Sequence, residues 1–540
     1  MQVSDTPAVR TKLRQPRLSP TQSAILNLLV AKEMAGDTPP QVKSAIAFYR
    51  ARDFQPAWSG GAAQEEMARE IQDILAMAHT HGLNDEDYKL PSDEFRSKRG
   101  ADVAKFDIAL TAALLRYASD VRNGRIKPGS VFDDVGLPQS DFDTAAELNK
   151  ALKAHALVKF LADLPPPQAQ YRQLALALAY YRSISDQGGW TEIPGPAPIR
   201  LDGKDKRLPL LIKRLGYEDP ELADNAKPSP AELLQAVKRF QGRNGLEAQG
   251  NVGRETLAAL NVPADLRVAQ IEANMERWRW MPRQLENRYI AVNVPDQSAE
   301  YVKDGEVMLS SKVVVGRKAS PTPIARATIV AAVVNPPWNI PGYIAARDLL
   351  PHLRRNANYL AAKNMVIMDG PPGDPHGRTI DWRKVQPATF PYAIRQLAGP
   401  ATALGALMLD SPNDFDVYLH DTPNKKLFTL DDREISNGCV RVQQIMPLAS
   451  LALTGDADAG MDMINQAIGT HQTQRIELSE PLPVYFLYWT ALTGPDGKIQ
   501  FRPDRNGRDT KLMAALTHTD SGKKAKTDSS APQEDEDVTP

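Results

Sequence analysis

The chain has 540 residues, with 65 Lys plus Arg against 66 Asp plus Glu and 42% hydrophobic residues. That length is enough for about three or four domains with cores of their own, and the near-zero net charge argues against nucleic acid or an anionic membrane as the main partner. No apolar run reaches the roughly 20 residues of a membrane span, and the single cysteine, Cys439, excludes an internal disulfide and a multi-cysteine zinc site.

Residues 1–40 mix Pro, Ser and Thr with Arg10, Lys12, Arg14, Arg17 and Lys32, and are expected to be disordered or weakly helical. The apolar stretch 24–31 is interrupted by Asn27, and no small-x-small cleavage site follows it. It reads as a short amphipathic helix rather than a secretion signal. From 41 to 220 the apolar spacing is helical: Leu114, Leu115, Ala118 and Val121 recur at three- and four-residue steps, as do Leu174, Leu178 and Tyr181. Pro165-Pro166-Pro167 and Gly188-Gly189 break this helical scaffold into pieces. Residues 221–265 read as a compact helical module.

From 266 to 502 the chain reads as a mostly-β domain. Residues 289–294, 300–302 and 306–315 are strands, with Asp304-Gly305 as a hairpin turn. The β-branched run 328–334 fits a strand covered on both faces. Residues 484–492 and 498–501 flank a Gly494-to-Gly497 turn and predict a second hairpin. An insertion at about 341–395 is helical near 344–353 and Gly/Pro-rich near 370–377, as a lid over a site would be. The glycines at 370–377 have no Lys-Ser/Thr, which excludes a phosphate loop. The last stretch, 503–540, is expected to be a mostly disordered tail.

Residues 416–420 alternate polar and apolar, so His420 ends a strand. Cys439 follows Gly438 in Ser436-Asn437-Gly438-Cys439-Val440-Arg441. Glycine there permits a backbone that converges successive N–H groups near the sulfur, the requirement of an oxyanion hole. A free thiol is only a few per cent thiolate at neutral pH, and a neighbouring imidazole could ionise it and later shuttle its proton. His352 and His376, inside the insertion, are further candidates for substrate contact. No metal, nucleotide or flavin motif is visible, so no cofactor is expected.

These residues carry a resemblance. His420, a gap, then Ser436-Asn437-Gly438-Cys439 with Arg441 two residues on is similar to the signature of the L,D-transpeptidase (YkuD-type) catalytic domain; Asn437 stands where most members carry histidine. Glu276-Arg277-Trp278-Arg279-Trp280, Thr322-Pro323, Asn335-Pro336-Pro337-Trp338 and Pro483-Val484-Tyr485 resemble segments of the large multi-domain members. Val237-Lys238-Arg239-Phe240-Gln241, Gly245-Leu246, Gly250 and Thr256-Leu257 resemble a small helical peptidoglycan-binding module. Thr402, Met408 and Leu409 depart from polar, basic and aromatic residues usual in the family.

The resemblance implies a transferase with Cys439 as nucleophile and His420 as its acid and base. Gly438, Asn437, Ser436 and Asp421 would build the oxyanion hole or orient the imidazole, and Arg441, Tyr418 and Trp338 would contact substrate. The donor would be a peptidoglycan tetrapeptide stem that loses D-alanine, and the product a link between two diaminopimelates. The acceptor could instead be an outer-membrane protein amino terminus, a D-amino acid or water, and a non-catalytic peptidoglycan-binding scaffold is the alternative without chemistry. Stem peptides and glycan would be the partners, the location periplasmic and wall-associated, the role cell-wall biogenesis and shape, and carbapenems would acylate the thiol.

Overall fold

The computed structural model describes residues 18–35, 40–90, 100–138, 140, 142–223, 225, 227–494 and 496–520. The expected disorder before 18 and after 520 lies outside the described residues. The chain divides into two compact units, Met1–Arg125 with Ser140–Pro167 and Ile126–Gln139 with Gln168–Pro540.

The first unit is helical. The helix Pro20–Met34 begins with a reciprocal cap between Ser19 and Gln22, and buries Ile25 and Leu29, four residues apart on one face. Its neighbour Gly100–Asn123 is the central helix, against which Pro20–Met34, Pro40–Arg50, Ala62–Leu75 and Thr144–Lys153 pack. The core of Phe48, Trp58, Ile71 and Leu114 encloses one carboxylate, Asp107, which is fully buried. Four donors satisfy it: Tyr49 Oη at 2.6 Å, Ala57 N at 2.8 Å, Trp58 N at 2.9 Å and Ser59 Oγ at 2.8 Å.

This unit ends at Pro167, well short of the expected boundary at 220. The helix Ala169–Asp186 belongs to the second unit, where Tyr171, Leu174, Leu178 and Tyr181 pack on Ile271, Met275 and Trp278 of the helix Ala264–Arg279. The small module likewise starts before 221, because its core joins Leu208, Leu211 and Leu215 to Val237, Phe240, Leu257 and Leu260. Within it, Gln241 reaches Asn251 O, Thr256 Oγ1 and Gly250 N, pinning the turn between its two helices.

The strands of the second unit are β1 Val135–Gly136, β2 Arg288–Asn293, β3 Ser298–Lys303, β4 Glu306–Gly316, β5 Ile324–Val334, β6 Trp338–Ile340, β7 Met365–Ile367, β8 Ile394–Gln396, β9 Leu407–Asp410, β10 Leu419–His420, β11 Glu434–Ser436, β12 Val440–Val442, β13 Gln474–Leu487, β14 Ala491–Thr493 and β15 Ile499–Phe501. Around the main sheet the order is β5-β13-β2-β3-β4-β12-β10-β9, and β9 pairs back onto β5. The sheet therefore closes on itself, which removes its open edges. Its core includes Ile290, Val292, Val313, Val315, Ile329, Leu409, Leu419, Val440 and Val442. The β-branched run in β5 sits between β13 and β9, buried along most of its length.

Two expectations are corrected here. Residues 484–492 are not one strand: the chain leaves the ladder after Leu487 because Asn293 and Asn274 take its backbone groups. Asn293 Oδ1 accepts from Trp489 N at 2.9 Å, and Asn274 Oδ1 accepts from Thr490 N at 2.9 Å. The hairpin that remains joins β14 to β15. Nor is 503–520 a disordered tail. Asp504 caps the helix Arg508–Asp520 through Arg508 N and Asp509 N, Asp509 accepts from Thr490 Oγ1 at 2.6 Å and pairs with buried Arg277, and Leu512 is fully buried in the sheet core. The insertion between β6 and β8 begins with a helical run across 342–353 and builds a small cluster of its own around Ile344, Leu350, Leu353, Leu360 and Trp382.

Candidate active site

Sheet register places the candidate residues. β10 runs parallel to β12, with Leu419 opposite Val440 and His420 opposite Arg441. Side chains two apart on a strand share a face, so Tyr418 and His420 lie on the same face as Cys439 and Arg441. On the other side β9 pairs antiparallel with β10, bringing Met408 opposite His420 and adding Asp410 to that face. The alternate residues Leu419, Val440 and Leu409 go into the core. The polar face opens into a pocket of about 480 Å³ whose walls include Trp338, Tyr343, Asp416, Tyr418, His420, Ser436, Asn437, Cys439 and Arg441. That volume is ample for a peptide segment.

Gly438 has φ +117°, a conformation side chains rarely adopt, while a Cβ there would meet nothing nearer than 3.7 Å. Backbone geometry, not space, therefore calls for glycine. The loop is held from three sides. Thr322 Oγ1 donates to Gly438 O at 2.7 Å, Ser436 Oγ donates to Cys439 O at 2.6 Å, and Arg317 N donates to Ser436 O at 3.0 Å. Gly438 N is already spent on Ser436 Oγ at 3.2 Å. The N–H of Cys439 itself has no partner among the described residues.

His420 is 4% exposed and its Nδ1 donates to the backbone oxygen of Asp421 at 2.5 Å, which leaves Nε2 as the acceptor nitrogen. Burial lowers its pKa to about 4, and the Arg441 guanidinium opposite it adds to the effect. Burial raises the Cys439 thiol, while the Tyr418 backbone N–H and Arg441 pull it back down. Sγ donates to Asp416 O at 3.5 Å. Burial disfavours charge on both groups, and Arg441 favours the thiolate while opposing a cation on the ring.

Residues 287–461 match the family described as "L,D-transpeptidase catalytic domain". Residues 43–178 match "Scaffold domain", and residues 210–260 match "Putative peptidoglycan binding domain". A Haemophilus influenzae protein described as "Putative L,D-transpeptidase" is 26% identical over 514 residues, covering 94% of this chain and 87% of that one. The chain carries an L,D-transpeptidase catalytic domain. Among solved structures, an L,D-transpeptidase from Stackebrandtia nassauensis aligns over 55% of this chain and 96% of its own at 15% identity, with a TM-score of 0.22. A cysteine-to-serine mutant of the Enterococcus faecium L,D-transpeptidase aligns over 38% of this chain at 14% identity, with a TM-score of 0.16, and the chain spans 52% of that structure.

Within the transpeptidase domain, Cys439, His420, Ser436, Asn437, Arg441, Tyr418 and Trp338 all line one pocket. Asp421 does not line the pocket: its backbone oxygen holds His420 Nδ1, while its carboxylate accepts from Ala406 N at 2.9 Å and pairs with Lys425, bracing the 403–407 loop. Asn437 Oδ1 accepts from Arg317 and from Arg347 of the insertion, both at 2.7 Å, which joins the insertion to the loop that carries Cys439. His352 stacks on Tyr359, and His376 Nδ1 contacts Met365 O at 2.9 Å; neither lines the pocket. Met408 does line it, whereas Leu409 is core and Thr402 is a buried hydrogen-bond donor to Leu397 O. Sequence reading missed Asp416, Tyr343 and Arg347. The first was signalled by the same alternation that marked Tyr418 and His420; the other two needed the fold of the insertion.

Proposed function

We propose that the protein is a cysteine-dependent L,D-transpeptidase of the periplasmic cell wall that joins peptidoglycan stems through a thioester on Cys439. The single observation that carries the reading is the shared face of Tyr418, His420, Cys439 and Arg441 in one pocket. Sγ attacks the carbonyl at the L-centre of diaminopimelate in a tetrapeptide stem. Its proton passes to His420 Nε2 and on to the departing amine, so the carbon–nitrogen bond to D-alanine breaks as the thioester forms. The side-chain amine of diaminopimelate on a second stem then attacks the thioester, His420 takes its proton, and the thiol is regenerated. The free N–H of Cys439 stabilises the oxyanion in both steps. Arg441 lowers the cost of forming the thiolate. The insertion at 341–395 acts as the lid, and the module around 210–260 holds the enzyme on its polymeric substrate.

No helix among the described residues is long and apolar enough to cross a membrane. The test is muropeptide analysis after incubation of tetrapeptide stems with purified protein. Dimers linked between two diaminopimelates, with free D-alanine, are expected from the wild type and none from Cys439→Ala. Wild-type turnover by Cys439→Ala would overturn the nucleophile, and a product carrying another amine or only water would reassign the acceptor. A carbapenem adduct located on Cys439 by mass spectrometry is the second expected result.

A further inference from the structure

The pocket holds two carboxylates with different surroundings. Asp410 is paired with Arg475. Asp416 is exposed, lines the pocket, and has no side-chain hydrogen bond or ion pair among the described residues. It is placed by an unusual backbone, with φ +52° in a non-glycine residue, and its carbonyl oxygen is the one that accepts from Cys439 Sγ. The residue is therefore fixed to the nucleophile while its carboxylate is left free. Its charge is felt across the pocket: burial raises the hydroxyls of Tyr343 and Tyr418, and Asp416 adds to both. Arg441 is also without a hydrogen bond or ion pair among the described residues, and its Nε is buried. One unpaired anion and one unpaired cation thus face the space in front of the thiol.

A peptide of uncharged side chains would leave the buried Nε of Arg441 unmatched, which is costly, and would make no use of the Asp416 carboxylate at the mouth of the pocket. An amino-acid end, with ammonium and carboxylate on one carbon, would satisfy both. From this juxtaposition we infer that Asp416 is a specificity-determining residue that recognises a primary ammonium group of the peptide substrate, with Arg441 reading the adjoining carboxylate. The inference rests on the proposed transpeptidation and narrows its substrate class. The ammonium belongs either to the side-chain end of the donor's third residue or to the incoming acceptor, and the two are separable by experiment.

The variant is Asp416→Asn, which keeps size and tolerates a positive φ, while removing the charge. In the donor arm, D-alanine release is measured with tetrapeptides carrying lysine or norleucine at the third position, differing only in the ammonium. The wild type should favour lysine about tenfold in kcat/KM, an ordinary size for one charge-assisted hydrogen bond. Asp416→Asn should bring the ratio to within about twofold; because Asp416 also opposes ionisation of the Cys439 thiol, the ratio, which cancels any change common to both donors, is the readout. In the acceptor arm, a common acyl-enzyme is partitioned between water and a cationic or neutral amine; loss of selectivity only here assigns the ammonium to the acceptor. Calorimetric binding of the same peptides to Cys439→Ala, with and without Asp416→Asn, reads recognition without turnover, so it stands even if no transpeptidation occurs. Unchanged charge selectivity in all three measurements overturns the assignment.

Discussion

Asp107 in the helical unit is a buried polar site and the Cys439 pocket in the transpeptidase domain an open one, and they are built to opposite rules. Asp107 receives four hydrogen bonds from three backbone-adjacent residues and one distant tyrosine. The pocket leaves Arg441 Nε, Asp416 and the Cys439 N–H without protein partners among the described residues. A satisfied buried group stabilises a fold; an unsatisfied one is held ready for something that arrives. Mutation should therefore cost stability at the first and chemistry at the second.

The largest expected separation comes from Cys439→Ala, which should lower D-alanine release by at least about 10⁴-fold while leaving the unfolding free energy within about 1 kcal/mol. Asp107→Ala should do the reverse. It strands the Ala57 and Trp58 amides in the core, costing about 3 kcal/mol or more in denaturant unfolding of the helical unit, with turnover unchanged where the protein stays folded. A stable Asp107→Ala protein would break the comparison.

His420 gives a pH signature. Its folded-state pKa of about 4 lies below the ordinary 6.5 of an unfolded histidine. Between those values the unfolded chain binds the proton and the folded one does not, so stability falls as pH falls through that window and levels off below about 4. The loss should approach about 3 kcal/mol, and His420→Gln should remove it from the unfolding curves. The smallest effect is that of Arg441→Gln. Without the guanidinium the thiol is harder to ionise, so alkylation of this single cysteine by iodoacetamide at pH 8 should slow by about three- to tenfold. An unchanged rate would remove Arg441 from thiolate stabilisation.

Much of this was readable from the residues alone. The alternation at 416–420 and the Gly438-Cys439 pair reported local geometry, and local geometry was what brought Cys439 and His420 to one face. The electrostatic state of the pair was not readable, because it depends on burial and on Arg441 facing His420 across two strands. The strand break after Leu487 was hidden for a similar reason: the side chains that cause it, Asn293 and Asn274, lie far back in the chain. The C-terminal helix was missed because its apolar anchor is sparse, and buried polar contacts through Asp504 and Asp509 hold it instead.

The pairing of β10 with β12 also limits the changes in length that the gene can tolerate. Residues 424–433, which connect the two strands, are themselves anchored by buried Phe428 and by Arg433, whose backbone N–H donates to Gln297 Oε1 and whose Nε donates to Val313 O, so extra codons there would disturb the approach to the pocket. One codon added between 417 and 420 would invert the alternation, turning His420 toward the barrel core and Leu419 toward the thiol.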